Sequence, residues 1–504
     1  MSQAKDWIQE CLSSDADCSA SADGGQAELP SRVIDVGDDS QDPHLHETSE
    51  AELGTYAALS YCWGRTRTFT TTQATLQARK DGFVLSDLPK TCRDAVVVAR
   101  AIGLRYLWID SLCIVQDSTE DWEKEAALMG DVYSNAVITL AALDSPDSDT
   151  GLFISDSTRQ TFYLTSDLGG GNFGYVYARK GFRKLMMGFL HADRSPPLGD
   201  DFGGILQTRG WTLQELMLSP RVLWFSAWEL GWSCRTKTAC ECDPIPTSQL
   251  MKRSAARLTT LQQEGEPAIG LEMWRDFVKV FTGRKLTHET DRLPALTGIA
   301  TAMSKHISGK YFAGLWEDQL EVNLLWTASE PETSVATDQH TAVLDNYAPT
   351  WSWARVTGPI WFVNFTGSPV FQNWWHIRGV EFKPVTSNRF GPGQSTITME
   401  AFVLPLNISD DGYFVCPVAD EYVYFSDTAH SWLPDRAGPQ ELDYLAEAEL
   451  LFLFAGLQRK FRETSQEQVT KFVGLVVKKA TEDIYERVGL IDAAFNTDSC
   501  DGSW

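Results

Sequence analysis

Apolar positions fall into short runs separated by polar clusters, and the period of each run predicts its element. "LPSRVIDVG" (29–37) and "TYAALSYC" (55–62) are short apolar runs bounded by turn residues, so each predicts a strand. The segment between them, 38–52, is acidic and predicts a loop. "LPKTCRDAVVVARAIG" (88–103) carries apolar residues at helical spacing, with Thr91 as its expected cap and Gly103 at its end. "RYLWID" (105–110) predicts another strand. "STEDWEKEAALMGDVY" (118–133) predicts a helix with acids in its first turn, where the dipole favours them. "AVITLAAL" (136–143) is β-branched and apolar throughout, the mark of a buried strand.

The order β-α-β-α-β with short connections predicts an α/β fold with a parallel sheet wrapped by helices. Functional groups gather at the carboxyl ends of such strands. Beyond it, 202–226 predicts a helix near 211–217 followed by a strand. Residues 250–310 read as largely helical, in "SQLMKRSAARLTTLQQ", "GLEMWRDFVKVFTG" and "DRLPALTGIATAMSK". From about 340 the pattern turns to β, with strand-like runs at 395–408, 448–458, 471–480 and 485–495. The expected organisation is a flexible polar leader at 1–26 with one or two helical turns, an α/β core at 27–160, a mixed and largely helical continuation at 161–335, and a β-rich C-terminal domain at 336–504. No repeat of fixed period is present.

Composition narrows the function classes. The chain has 504 residues, more than one ordinary core holds. Lys plus Arg number 43 against 68 Asp plus Glu, a formal charge of −25, which repels phosphate backbones and argues against a nucleic-acid partner. No apolar run reaches the length of a membrane span, and the N-terminus has neither a basic n-region nor an apolar h-region, so a cytoplasmic protein is expected. The 18 Trp serve either large cores or an aromatic-walled cavity. The 10 Cys are scattered, which suits reduced thiols. The tightest group, Cys234, Cys240 and Cys242, lacks the paired spacing of a structural zinc site, so no metal and no cofactor is expected.

Several residues at the ends of the predicted strands invite chemistry. Asp110 can orient a ligand hydroxyl, or cap the next turn through backbone N–H groups. Cys62 and Cys113 read as small buried groups, because a nucleophile needs a nearby base and no His is close in sequence to either. Gly64 suits a turn at positive φ. The "FGPGQ" and "LGGGNFGYVYARKG" stretches read as turns, and no Walker, GxSxG, HExxH or GxGxxG motif stands in a suitable context.

The stretches "YAALSYCWG", "LPKTCRDAVVVARAIGLRYLWIDSLCIVQDSTEDWEKEAALMGDVYSNAVITLAA" and "GWTLQELMLSPRVLWFS" resemble the heterokaryon-incompatibility (HET) domain of filamentous fungi. The resemblance continues through "DRLPALTGIA", "PTWSWARVTGPI" and the closing "YERVGLID". It implies a role in fungal non-self recognition and cell-death signalling, with self-association or another HET-type protein as partner. It marks Tyr61, Cys62, Trp63, Gly64, Cys113, Gln116, Trp122, Gln214 and Glu215 as motif or ligand-binding positions. Gln214 and Glu215 are expected in a buried polar network with Arg209 or Arg221. HET domains are held to be remotely similar to TIR domains, some of which cleave NAD with a Glu that follows a Trp. Here that implies Glu125 after Trp122, as an anion beside a ribosyl oxocarbenium ion, although the spacing is shorter by about one residue. An alternative is a secondary-metabolite biosynthetic enzyme, a cyclase, isomerase or pericyclase such as a Diels-Alderase. It would hold an apolar substrate in a closed aromatic pocket and leave almost no motif.

Overall fold

Four strands lie at the centre of the N-terminal sheet and all run parallel. The computed structural model describes residues 1–14, 18, 26–38, 40–65, 69–154, 161–167, 173–179, 204–227, 229–241, 243–247, 267–328, 344, 346–363, 371–373, 375–385, 388–408, 414–418, 421–424, 432–434, 445, 448–462, 467–481 and 484–495. The chain divides into two units: 1–265 with 295–302, and 266–294 with 303–504.

In the first unit, helix α1 (Ser2–Ser14) precedes β1 (Arg32–Asp35), β2 (His44–Glu47) and β3 (Tyr56–Ser60). Then come α2 (Lys90–Ile102), β4 (Tyr106–Trp108), α3 (Thr119–Asn135), β5 (Ile138–Ala142), α4 (Thr212–Leu218), β6 (Arg221–Phe225), β7 (Leu230–Cys234), β8 (Thr238–Cys240) and β9 (Asp243–Thr247). Among the described residues the sheet order is β9-β8-β7-β6-β5-β3-β4-β1-β2. The pairs β6–β5, β5–β3 and β3–β4 are parallel. On one flank β1 runs antiparallel to β4, and on the other β7 runs antiparallel to β6.

The sheet is therefore mixed, which corrects the expected all-parallel one. The βαβ crossovers impose parallel pairing only where a helix lies between the strands. The short β1–β2 and β6–β7 connections permit hairpins instead. For the same reason 38–52 is not wholly loop, since His44–Glu47 pairs with Arg32–Asp35.

The two innermost strands, β3 and β5, are buried along their whole length, as their continuous apolar runs require. Helix α2 ends at Gly103 as expected. Its N-cap is Pro89, not Thr91. Thr91 lies inside the first turn, where its hydroxyl donates to Asp147 O at 3.2 Å and accepts from Gly151 N at 3.0 Å. Helix α3 is capped by the Ser118 hydroxyl, which accepts from Asp121 N.

The N-terminal residues form more than the one or two turns expected. Ala4, Trp7 and Cys11 recur at helical spacing and are buried, with Trp7 against Trp232 at a centroid distance of 6.2 Å. Burial of that apolar stripe stabilises a 13-residue helix in an otherwise polar segment. The Gly-rich 168–181 stretch is likewise not all turn, because Phe173–Arg179 pairs with Thr161–Asp167 as a hairpin. The predicted helix at 248–263 lies outside the described residues.

In the second unit the expected helix at 270–283 is Pro267–Thr282. The β-rich pattern becomes an antiparallel sheet that includes Trp375–Pro384, Gly393–Ile408, Leu450–Arg462, Glu467–Thr481 and Ile484–Phe495. The tryptophans are largely core. Trp274, Trp316, Trp326, Trp353 and Trp375 are fully buried. Trp274 and Trp353 both donate to Gly314 O at 2.9 Å, and the Arg487 guanidinium stacks 3.5 Å over the Trp326 ring. Among the described residues these rings fill the interior of the unit.

Candidate functional site

The apolar runs of β3 and β4 stop in polar residues because those residues meet at the carboxyl ends of the parallel strands. Ser60 ends β3, and its hydroxyl donates to Glu215 Oε2 on α4 at 2.5 Å. The Tyr133 hydroxyl on α3 donates to Leu59 O at 3.0 Å. Tyr61 follows, with its hydroxyl donating to Ser111 Oγ at 2.8 Å. Its carbonyl accepts from Arg209 Nη1 at 2.9 Å. Trp63 Nε1 donates to Asp110 Oδ2 at 2.7 Å, while Ser111 N donates to Asp110 Oδ1 at 2.7 Å. The Asp110 carboxylate thus accepts from the backbone inside the short turn 110–113, whose N-cap is Ile109, and anchors the Trp63 ring at once. Gln116 Nε2 closes that turn by donating to the carbonyls of Asp110 and Ile114.

Two carboxyls and one guanidinium share this interior. Burial pushes Asp110 up from 3.8 to about 6, against the lowering pull of the Trp63 and Ser111 bonds and of Arg209. Burial likewise pushes Glu215 up from 4.5 to about 7; Ser60 and Arg209 oppose this, and the Asp110 charge adds to it. With one cation for two carboxyls in a dry environment, the pair changes charge close to neutral pH.

Cys62 and Cys113 are buried beside this network. Burial raises both thiols, Cys113 to about 12. A neutral thiol is a weak nucleophile.

Helix α3 supports the network from one side. Its Gly130 meets Gly298, where a Cβ would stand 2.6 Å from the Gly298 Cα. Gln214 seals the same contact, its Oε1 accepting from Gly298 N at 3.1 Å. Trp122 packs edge-on against Trp211. Arg32 on β1 reaches α3 and donates to both oxygens of Asp121 at 2.7 and 2.6 Å and to Cys113 O at 2.7 Å. Glu125 is 1% exposed, with Oε1 3.7 Å from Arg32 and 3.8 Å from Lys124, and burial raises its carboxyl.

Trp63 also faces outward. With Gly64, Arg65, Pro146, Asp147 and Asp149 it lines a half-open, mainly polar cleft of about 310 Å³. Gly64 adopts φ +77°, and a Cβ there would lie 2.5 Å from Asp147 Cβ, so both the turn and the close approach require glycine. Asp147 Oδ1 holds its own loop, accepting from Asp149 N, Thr150 N and the Thr150 hydroxyl. The cleft wall therefore joins the loop after β3 to the loop after β5.

Residues 56–215 match the family model described as heterokaryon incompatibility protein (HET). That stretch is a HET domain. Neither a curated protein nor a solved structure matches the chain significantly. Within the HET domain the structure brings Tyr61, Trp63, Asp110, Gln116 and Glu215 into one network with Cys62 beside it, and places Gly64 in the cleft wall. Glu125 and Trp122 are held by partners of their own. Ser60, Ser111 and Tyr133 complete the network. Ordinary hydroxyl residues in apolar runs carry no spacing signal that would single them out.

Proposed function

We propose that this chain acts in fungal non-self recognition, as a HET-domain protein whose engagement leads to cell death. The match of residues 56–215 to the HET family carries this reading. The geometry is consistent with a recognition module: a rigid network fixes Trp63 at the rim of an open polar cleft, where a segment of a partner HET-type protein or of a second copy engages. Nothing comparable favours the other readings. A cyclase or pericyclase needs a closed apolar chamber, and the cleft beside Trp63 is open and polar. An NAD hydrolase resembling TIR enzymes needs a carboxylate facing its ligand, and Glu125 is buried against Arg32.

The test is induced expression of the full chain in a filamentous fungus at confirmed protein level. Growth arrest and cell lysis are expected. Normal growth and normal fusion with every tester strain would end the proposal, and accumulation of one biosynthetic precursor on gene deletion would replace it.

A further inference from the structure

Three cysteines converge where α1 meets the sheet. Cys11 lies on α1, Cys18 lies four residues beyond its end, and Cys234 ends β7. Their sulfurs all lie within 4.8 Å of one another, all three residues are buried, and none forms a disulfide. Thiolates bound to one zinc ion, each at about 2.3 Å, stand roughly 3.8 Å apart in a tetrahedron, so closing this triad on a metal needs only small shifts.

Charge gives a second, independent indication. Arg221 on β6 is 3% exposed, and among the described residues no carboxylate pairs with it. Its Nε donates to Cys11 Sγ at 3.3 Å, its Nη2 to Cys18 O at 2.7 Å and its Nη1 to Val137 O at 3.2 Å. A buried guanidinium with no carboxylate partner calls for an anion beside it, and zinc-bound thiolates supply one. Three thiolates on a divalent ion carry a net charge of −1, and Arg221 then balances it. Its N–H bond to a ligand sulfur is an ordinary outer contact of such sites. Thr236 Oγ1, 3.5 Å from Cys234 Sγ and 4.0 Å from Cys18 Sγ, stands at the edge of the triad.

We propose that Cys11, Cys18 and Cys234 bind a structural zinc ion that fastens the N-terminal helix to the sheet. Soft sulfur ligands select zinc over magnesium or calcium. Binding replaces three thiol protons by one Zn²⁺, and those protons leave to solvent. The fourth position falls to the Thr236 hydroxyl or to water.

The full chain, purified in reducing buffer, is analysed for metal by mass spectrometry and then titrated with Co²⁺ after chelation. About one zinc per chain is expected, together with a strong thiolate-to-cobalt charge-transfer band. Cys18→Ser should lose the metal, whereas Cys240→Ser, outside the triad, should keep it. Should Cys18→Ser fail to fold, the intensity of the cobalt band in the unmutated chain still counts the thiolates. The proposal is overturned if zinc added under reducing conditions is not retained stoichiometrically, or if Cys18→Ser retains it. It is equally overturned by an intact-mass loss of two hydrogens showing that two of the three cysteines pair as a disulfide.

Discussion

Replacing Glu215 by Gln should make the HET domain less sensitive to pH. In the folded chain Glu215 holds its proton up to about pH 7, while the ordinary value is 4.5. Between those limits the folded state binds more protons than the unfolded one, so stability is greatest below pH 4.5 and is lost as pH rises to 7. At ~1.4 kcal/mol per pH unit, and allowing for partial ionisation at both ends, the loss attributable to Glu215 between pH 5 and 7 is about 2 kcal/mol. Asp110, raised to about 6 by its own burial, adds a loss of the same sign over a lower window.

Gln keeps the acceptor for the Ser60 hydroxyl and removes the titration. It also removes the negative charge facing Asp110. Amide hydrogen exchange at pH 5, 6 and 7, corrected for intrinsic rates, gives the opening free energy of Tyr56–Ser60 without requiring the two units to unfold together. The unmutated strand should lose about 2 kcal/mol more than E215Q across that range. Slopes that agree within about 0.5 kcal/mol would refute the reasoning, because Glu215 would then titrate alike in both states.

Three further substitutions probe the frame around the site. Gly130→Ala puts a methyl group 2.6 Å from the Gly298 Cα, and thermal unfolding should show a loss of about 1–3 kcal/mol. Arg32→Ala leaves Asp121 without its cation and the buried Glu125 with only the exposed Lys124. Urea unfolding should show a loss of about 3–5 kcal/mol, whereas Glu125→Gln should cost far less. Gly64→Ala strains a φ +77° turn and collides with Asp147; a loss of about 1–3 kcal/mol in thermal unfolding is expected.

The parts of the fold legible in the sequence were those with strong periodicity. The runs 55–62, 105–110 and 136–143 became three of the four parallel strands, and 471–480 and 485–495 became paired antiparallel strands. Less legible was anything set by partners distant in the chain. His44–Glu47 is too polar to predict a strand, yet it pairs with Arg32–Asp35. Helix α1 owes its length to burial of Trp7 and Cys11 against a strand more than 200 residues later. At the site, the resembled motif leads to the expectation of a buried polar network of Gln214 and Glu215 with Arg209 or Arg221; Arg209 is the one that acts on Glu215, and Gln214 bonds Gly298 instead. The bond of Glu215 to Ser60, 155 residues away, could not be anticipated. Cys234 was legible only beside Cys240 and Cys242, while space sets it beside Cys11 and Cys18.

The central proposal is that the cleft beside Trp63 is the working surface through which the chain triggers cell death. The most direct test compares the unmutated chain with Trp63→Phe and Arg65→Ala in the fungal expression assay, at equal protein level and with circular dichroism confirming the fold. Loss of cell killing in both folded variants is the predicted result. Killing at the unmutated level by both would contradict the account.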